Sequence, residues 1–272
     1  MEPKFYSFFE GATEARVLNS LKEMFPPGIP KPERGVLKTL GSEEELDREP
    51  LGKDAILKKM IKTLNGVITN GSSPIPHPIR VLVMRDLDEE EEGEEIKREY
   101  ETALNELMEL KEKLVRVVFT RHSDYPNGII YYFRSDDPDI RIAIHLAGQC
   151  RRGVGCFTRQ TTDDYLLDLL LHTDSSCTIW EKIIARSIRR NLPWPSDTNF
   201  TFVCETAETI ATNLEREDFP RRREAKMHLT VFTLLLRDTD SEVTKIIFEG
   251  VDKAEIERTF ASLLTAIQLL RE

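Results

Sequence analysis

Apolar runs and amphipathic stretches alternate along the first half of the chain. Short aromatic or β-branched runs predict buried strands at Phe5–Phe9 and Ile79–Met84, and the second is typical of a central parallel strand. Two more strands are predicted at Gly128–Phe133 and Ile140–Leu146, with Asp136-Asp137-Pro138 as the turn between them.

Helical spacing of apolar residues predicts three amphipathic helices in the same half. They cover Thr13–Phe25, Asp54–Leu64 and about Glu94 to Lys113. Two further apolar segments, Gly35–Gly41 and Leu114–Thr120, complete the predicted order of strand, helix, strand, helix, strand, helix and three strands. Such alternation predicts an α/β fold with a mostly parallel sheet flanked by helices.

From Thr161 onwards the pattern becomes helical. The tetrapeptide Thr161–Asp164 has the form of a capping box before the apolar run Tyr165–Leu171. Further helical stretches are predicted at Ile179–Ile188, Thr206–Leu214, Arg222–Leu235 and Ala254–Leu270. We therefore predict two parts, an α/β core over residues 1–160 and a mainly helical extension over residues 161–272, packed on that core.

The composition is that of a water-soluble globular protein. The chain has 272 residues, of which 40% are hydrophobic and 32% charged. No apolar run approaches the roughly 18 residues that a membrane-spanning helix needs, so no membrane partner is expected. The first residues do not have the pattern of a secretory signal. The four cysteines form no C-x-x-C motif, which favours reduced thiols and a cytoplasmic location.

The formal net charge of −10 argues against a broad nucleic-acid-binding surface, because such surfaces need clustered lysine and arginine. It leaves room for contact with nucleic acid at a local site, since the local distribution of charge matters more than its sum. An acidic protein is equally suited to protein partners, and a homo-oligomer also remains open, because Phe260 to Leu270 carries an apolar stripe.

Acidic residues follow two of the predicted strands. Glu10 closes the first strand, and Asp86 and Asp88 follow the strand that ends at Met84. Function in open α/β sheets concentrates at the carboxyl ends of strands, so these carboxylates would converge if the two strands are neighbours. Carboxylate oxygens suit Mg²⁺, and a further carboxylate near a metal can serve as general acid or base.

The same residues resemble the Toprim domain of topoisomerases, bacterial primases and nucleases of the overcoming-lysogenization-defect (OLD) type. The resemblance lies in Glu10-Gly11-x-Thr13-Glu14 after one apolar strand and Asp86-x-Asp88 after another. It implies Glu10 as general acid/base, Asp86 and Asp88 as ligands of Mg²⁺ or Mn²⁺, and Glu14 as the further glutamate that OLD-type members use.

The resemblance covers roughly residues 4 to 146 and is closest to an uncharacterised OLD/Toprim-like group. Beyond the core it is loose: Asp163–Leu167 and Glu224–His228 resemble segments of that group. One departure is the run Glu89–Glu92 directly after Asp88, where the family has small residues. That much negative charge would repel a phosphate backbone unless metal ions neutralise it.

Each motif also has a plainer interpretation. Glu10-Gly11 can be a simple turn, Glu14 can be an ordinary residue of a first helical turn, and Asp163 with Asp164 can cap a helix. Two function hypotheses follow. The first is a metal-dependent enzyme that cleaves phosphodiester bonds or transfers a phosphoryl group on nucleic acid. The second is a binding or regulatory protein that keeps the fold without turnover.

Overall fold

The computed structural model describes residues 3–24, 53–71, 75, 77–87, 93–125, 128–148, 161–172, 176–191, 199–216, 225–236 and 239–272. The strands are β1 (Lys4–Phe9), β2 (Ile79–Arg85), β3 (Thr120–Tyr125), β4 (Gly128–Asp136) and β5 (Asp139–Ala147). The helices are α1 (Ala12–Met24), α2 (Lys53–Val67), α3 (Gly93–Leu110), α4 (Thr162–His172), α5 (Ser176–Arg189), α6 (Phe200–Arg216), α7 (Ala225–Leu235), α8 (Asp240–Gly250), α9 (Lys253–Thr259) and α10 (Ala261–Leu269).

The five strands form one mixed sheet in the order β1-β2-β5-β4-β3. β1, β2 and β5 run parallel, with Tyr6 opposite Val81 and Val81 opposite Ile142. β4 and β3 continue the sheet in antiparallel pairing. The α/β prediction is therefore confirmed. The antiparallel part of the sheet arises because the tight turn between β4 and β5 joins them as a hairpin.

The nearly continuous apolar run of β2 correctly predicted a buried strand, because β2 lies between two other strands of the sheet. All seven of its residues are buried, which a strand with neighbours on both sides and covered faces requires. Two of the seven, Arg80 and Arg85, carry charge into the interior near the two ends of the strand. These charged positions bear on the sites described below.

The chain divides into two compact units, and the first of them combines two separate segments of the sequence. The first unit comprises Met1–Ala147 together with Ser262–Glu272, and the second comprises Gly148–Ala261. The last eleven residues thus belong to the unit that contains the sheet. Within it, the Tyr132 hydroxyl donates to the Leu269 carbonyl oxygen at 3.0 Å, which ties the end of α10 to β4.

The second unit is helical over its described residues, as predicted. Tyr165 of α4 meets Phe260 edge to face at 5.2 Å between ring centroids, and Phe260 stacks on Phe248 of α8 at 5.6 Å. The predicted capping box is also present, because Asp164 Oδ2 accepts from the Thr161 backbone N at 2.7 Å. Burial raises the pKa of Asp164 to about 7.

Two predicted elements differ from the structure, and one helix was not predicted. The strand expected at Leu114–Thr120 begins only at Thr120, because side chains of α3 bind the preceding backbone: Asn105 Oδ1 accepts from Val117 N at 2.8 Å. The single helix expected over Ala254–Leu270 breaks at Phe260, between α9 and α10. Helix α8 was not predicted, although Thr239 and Glu242 supply the capping-box spacing. The predicted strand Gly35–Gly41 lies outside the described residues.

Gly128, where β4 begins, is required by close packing within the first unit. A Cβ atom there would overlap Ser262 Oγ of α10 and approach His145 Nε2 to 2.9 Å. His145 is buried, and its Nε2 lies 2.9 Å from Ser262 Oγ, so it is a hydrogen-bonded residue of the core. Burial lowers the pKa of His145 to about 3.

We expect Gly128→Ala to destabilise the protein by about 1–3 kcal/mol, because the added methyl group overpacks a filled site. Gly66→Ala is the matched control, since a Cβ there has no atom within 4 Å and the glycine lies in a helix. That change should leave stability equal or raise it by about 0.5–1 kcal/mol. Urea unfolding of both variants checks the difference, and equal losses would contradict the packing argument.

We expect His145 to make the protein less stable in mild acid. Its folded pKa of about 3 lies below the ordinary value of 6.5, so the folded state binds fewer protons between these pH values. The contribution is therefore complete above about pH 6.5 and is lost as the pH falls towards 3. Between pH 7 and pH 5 the wild type should lose about 2 kcal/mol more than His145→Gln, measured by urea unfolding. Equal losses in the two proteins would be inconsistent with a neutral buried imidazole.

Candidate functional site

The ends of β1 and β2 bring the first two predicted site residues together. The two strands are parallel neighbours, with Phe9 opposite Met84, so Glu10 and Asp86 emerge at the same edge of the sheet. Glu10 Oε2 accepts from the backbone N of Asp86 at 3.3 Å. Both residues are half-buried. The adjacency on which the sequence argument depended is therefore present.

Glu14, the further predicted site residue, lies in the first turn of α1 directly after this edge. It is only 2% exposed, and its Oε2 accepts from the backbone N of Gly11 at 2.8 Å. This contact satisfies one of the backbone donors that the start of a helix leaves unpaired. Glu14 thus closes the turn between β1 and α1 and holds a carboxylate close to Glu10 along the chain.

Two residues that the sequence analysis did not select lie beneath this edge. Arg85, the last residue of β2, is only 2% exposed, and its Nη1 lies 3.6 Å from Glu99 Oε2 of α3. Tyr100 of α3 is completely buried, and this burial raises the pKa of its hydroxyl. Arg85 opposes that rise, whereas Glu99 and Glu10 add to it, so these charges act on one buried hydroxyl.

The position of Arg85 could not be read from the sequence. An arginine at the end of an apolar run is normally interpreted as the point where a strand reaches solvent. Here the guanidinium turns inward beside α3, close to the Tyr100 hydroxyl on which Glu10 also acts. Its presence lowers the electrostatic cost of collecting carboxylates at this edge.

Asp88, the third predicted metal ligand, lies outside the described residues, as do Glu89–Glu92. The acidic run continues in the structure as Glu94 and Glu95, which are exposed in the first turn of α3, where negative charge favours a helix. Glu94 Oε1 accepts from the Tyr131 hydroxyl at 3.0 Å. Slight burial would raise the pKa of Glu94, but the bonds from Tyr131 and Lys97 outweigh it and keep that pKa below its usual value.

The donor set at this edge is compatible with a hard divalent cation. Mg²⁺ in proteins is often held by one or two carboxylates and completed by water and substrate phosphate oxygens. Glu10 and Asp86 are oxygen donors from two adjacent strand ends. Among the described residues, no group of three or more His, Cys, Asp or Glu side chains is placed to bind a metal ion. Glu10, Glu14 and Asp86 therefore do not form a complete metal-binding group by themselves.

No family model matches this chain, and no curated protein or solved structure was found that resembles it. No helix within the described residues is long and apolar enough to cross a membrane. The interpretation of the site therefore depends on its own geometry.

Two substitutions of Glu14 distinguish the effect of its hydrogen bond to the Gly11 backbone from the effect of its negative charge. Glu14→Gln keeps an oxygen that can accept from the Gly11 backbone N, so stability should change little. Glu14→Leu removes the acceptor from a buried donor and should cost about 1–3 kcal/mol. Urea unfolding of the two variants checks this difference. If both variants lost the same stability, the carboxylate charge rather than the hydrogen bond would be what matters to the fold.

Proposed function

We propose that the chain is a divalent-cation-dependent enzyme of Toprim type, which cleaves phosphodiester bonds or transfers a phosphoryl group on nucleic acid. The observation that supports this most directly is the contact between the Glu10 carboxylate and Asp86 at the ends of neighbouring parallel strands. These are the strand ends where open α/β sheets hold their sites.

The proposed roles are those that the resemblance to the Toprim domain implies. Asp86 and Asp88 hold Mg²⁺ or Mn²⁺, and Glu14 is the further glutamate that the resemblance implies. Bound there, the cation would neutralise charge on a phosphate oxygen and orient the substrate. Glu10 exchanges a proton with the reacting oxygen, because its carboxylate sits at the strand end next to Asp86 rather than at a distance.

Buried charge supports the same assignment. Carboxylates that gather at one edge repel each other and repel a phosphate backbone unless positive charge compensates them. Arg85 supplies one fixed positive charge. A divalent cation would supply the rest, which would make nucleic-acid binding at this edge dependent on metal. This dependence is consistent with an acidic protein that meets nucleic acid only at a local site.

The second candidate is a binding or regulatory protein without turnover. Large apolar side chains are exposed between α3 and β3, namely Leu110 at 69%, Leu114 in full and Val118 at 54%. Exposed apolar residues close together along the chain are typical of surfaces that meet another protein. In this alternative the fold is retained, and Glu10 and Glu14 serve only in their contacts to backbone N–H groups.

Calorimetric titration with Mn²⁺ tests the proposed cation site. The wild type should bind the ion, and Asp86→Asn should weaken binding about tenfold or more, because one charged ligand is lost from a small donor set. Asp252→Asn is the matched control. It removes one exposed carboxylate, and asparagine caps a helix as well as aspartate, so α9 should be preserved.

Nuclease assays on single- and double-stranded DNA and RNA in Mn²⁺ test the reaction itself. Glu10→Gln should abolish cleavage while leaving Mn²⁺ binding measurable, because the amide can still accept from the Asp86 backbone N. Cleavage that persists in Glu10→Gln would remove the catalytic role. Equal Mn²⁺ binding by wild type and Asp86→Asn, with no cleavage of any substrate, would favour the binding protein.

A further inference from the structure

Arg141 is a buried cation of the first unit that the proposed function does not use. It lies in β5 and is only 6% exposed. Two of its guanidinium nitrogens, Nε and Nη1, are buried with no hydrogen-bond partner in the part of the chain that the structure describes. A buried charge of this kind is unfavourable unless it is paired and hydrogen-bonded. An anion bound to the guanidinium would therefore stabilise it.

Strand register places an arginine on either side of Arg141. Arg80 of β2 and Arg134 of β4 are its direct cross-strand partners. Paired residues of neighbouring strands project to the same face of a sheet, so the three side chains share one face. The three positive charges therefore lie side by side across three adjacent strands.

Each outer arginine already has a carboxylate of its own. Asp139 accepts two hydrogen bonds from Arg80, at 2.7 and 3.0 Å. Asp136 accepts from Arg134 Nε at 2.9 Å. These two pairs are balanced in charge. Arg141 makes no comparable bond within the described residues, so the group carries an excess of positive charge at its centre.

Arg80, Arg134 and Arg141 all shift the pKa values of the same two side chains, Asp139 and Tyr132. The hydrogen bond from Arg80 chiefly lowers the pKa of Asp139, and Arg141 and Arg134 lower it further. All three also act on the Tyr132 hydroxyl, whose pKa burial raises, and Glu272 at the end of the chain acts on it in the same direction as burial. The Glu272 carboxylate therefore lies near enough to compete for an anion site here.

We propose that Arg141, flanked by Arg80 and Arg134, forms a binding site for a small oxyanion of the phosphate type. Guanidinium groups match the oxygens of such anions in both charge and donor geometry. Arg80 lies in β2, and Asp86 directly follows that strand six residues further along, so the site lies about 20 Å from the carboxylate edge. It is thus independent of the proposed function, and either can fail alone.

Thermal unfolding of the full chain with inorganic phosphate as the probe tests this site. Phosphate should replace chloride at constant ionic strength, and the wild-type midpoint should rise with phosphate concentration. Arg141→Met removes the buried charge while keeping a long side chain. It should be at least as stable as wild type without phosphate and should lose the phosphate-dependent rise.

Arg116→Met is the matched control, because it removes the same charge from an exposed position. It should keep the full wild-type response. An equal rise in wild type and Arg141→Met would be the general effect of a strongly hydrated salt and would overturn the proposal. No rise in the wild type would overturn it as well.

Two further variants keep the test decisive if Arg141→Met fails to fold. Arg141→Lys retains the charge but loses the planar set of donors, and its phosphate affinity by calorimetry should fall about tenfold. An unchanged affinity would contradict the proposal. Glu272→Gln should bind phosphate more tightly than wild type, because it removes a nearby negative charge. If it instead loses stability while wild type binds no phosphate, the Glu272 carboxylate is the anion and the proposed site does not exist.

Discussion

The parallel pairing of β1 with β2 is the constraint on which the site and its interpretation depend. Because Phe9 lies opposite Met84, the residues that follow both strands emerge at one edge, and the Glu10 carboxylate reaches the Asp86 backbone. A shift of one residue in this register would turn every side chain of a strand to the other face of the sheet. The buried apolar residues of both strands therefore hold the register, and the register positions Glu10.

Patterns with a clear physical period were predicted well. β2 was recognisable because a strand buried on both faces has no polar alternation to obscure it. Capping chemistry was equally informative at Thr161–Asp164, where a four-residue rule specifies one hydrogen bond. The same rule at Thr239 was overlooked, although α8 begins there. The segment before Thr120 does not form the expected strand, because side chains of α3, not a neighbouring strand, bind its backbone.

The sequence predicted which candidate residues lie at strand ends, but not how their side chains are arranged in space. Sequence alone could place Glu10 and Asp86 at strand ends, but the distance between them depends on which strands are neighbours. Nothing in the pattern showed that Arg85 would turn inward beside α3, or that Glu14 would be consumed in a capping contact. Burial of charged side chains arises from tertiary packing, and periodicity carries no information about it.

Charges of both signs lie at the two ends of the sheet along the strand axis. Glu10 and Asp86 lie where β1 and β2 end, next to Arg85 in sequence or across the sheet. At the other end, three arginines lie side by side, and Asp139 and Asp136 pair with the outer two. Arg85 and Arg141 are buried on one strand each, at opposite ends of the sheet, where low dielectric strengthens their influence. A buried guanidinium is unfavourable unless an anionic group pairs with it. Arg85 and Arg141 are therefore the two positions in the sheet where an anionic group, from the protein or from a ligand, has most to gain by binding.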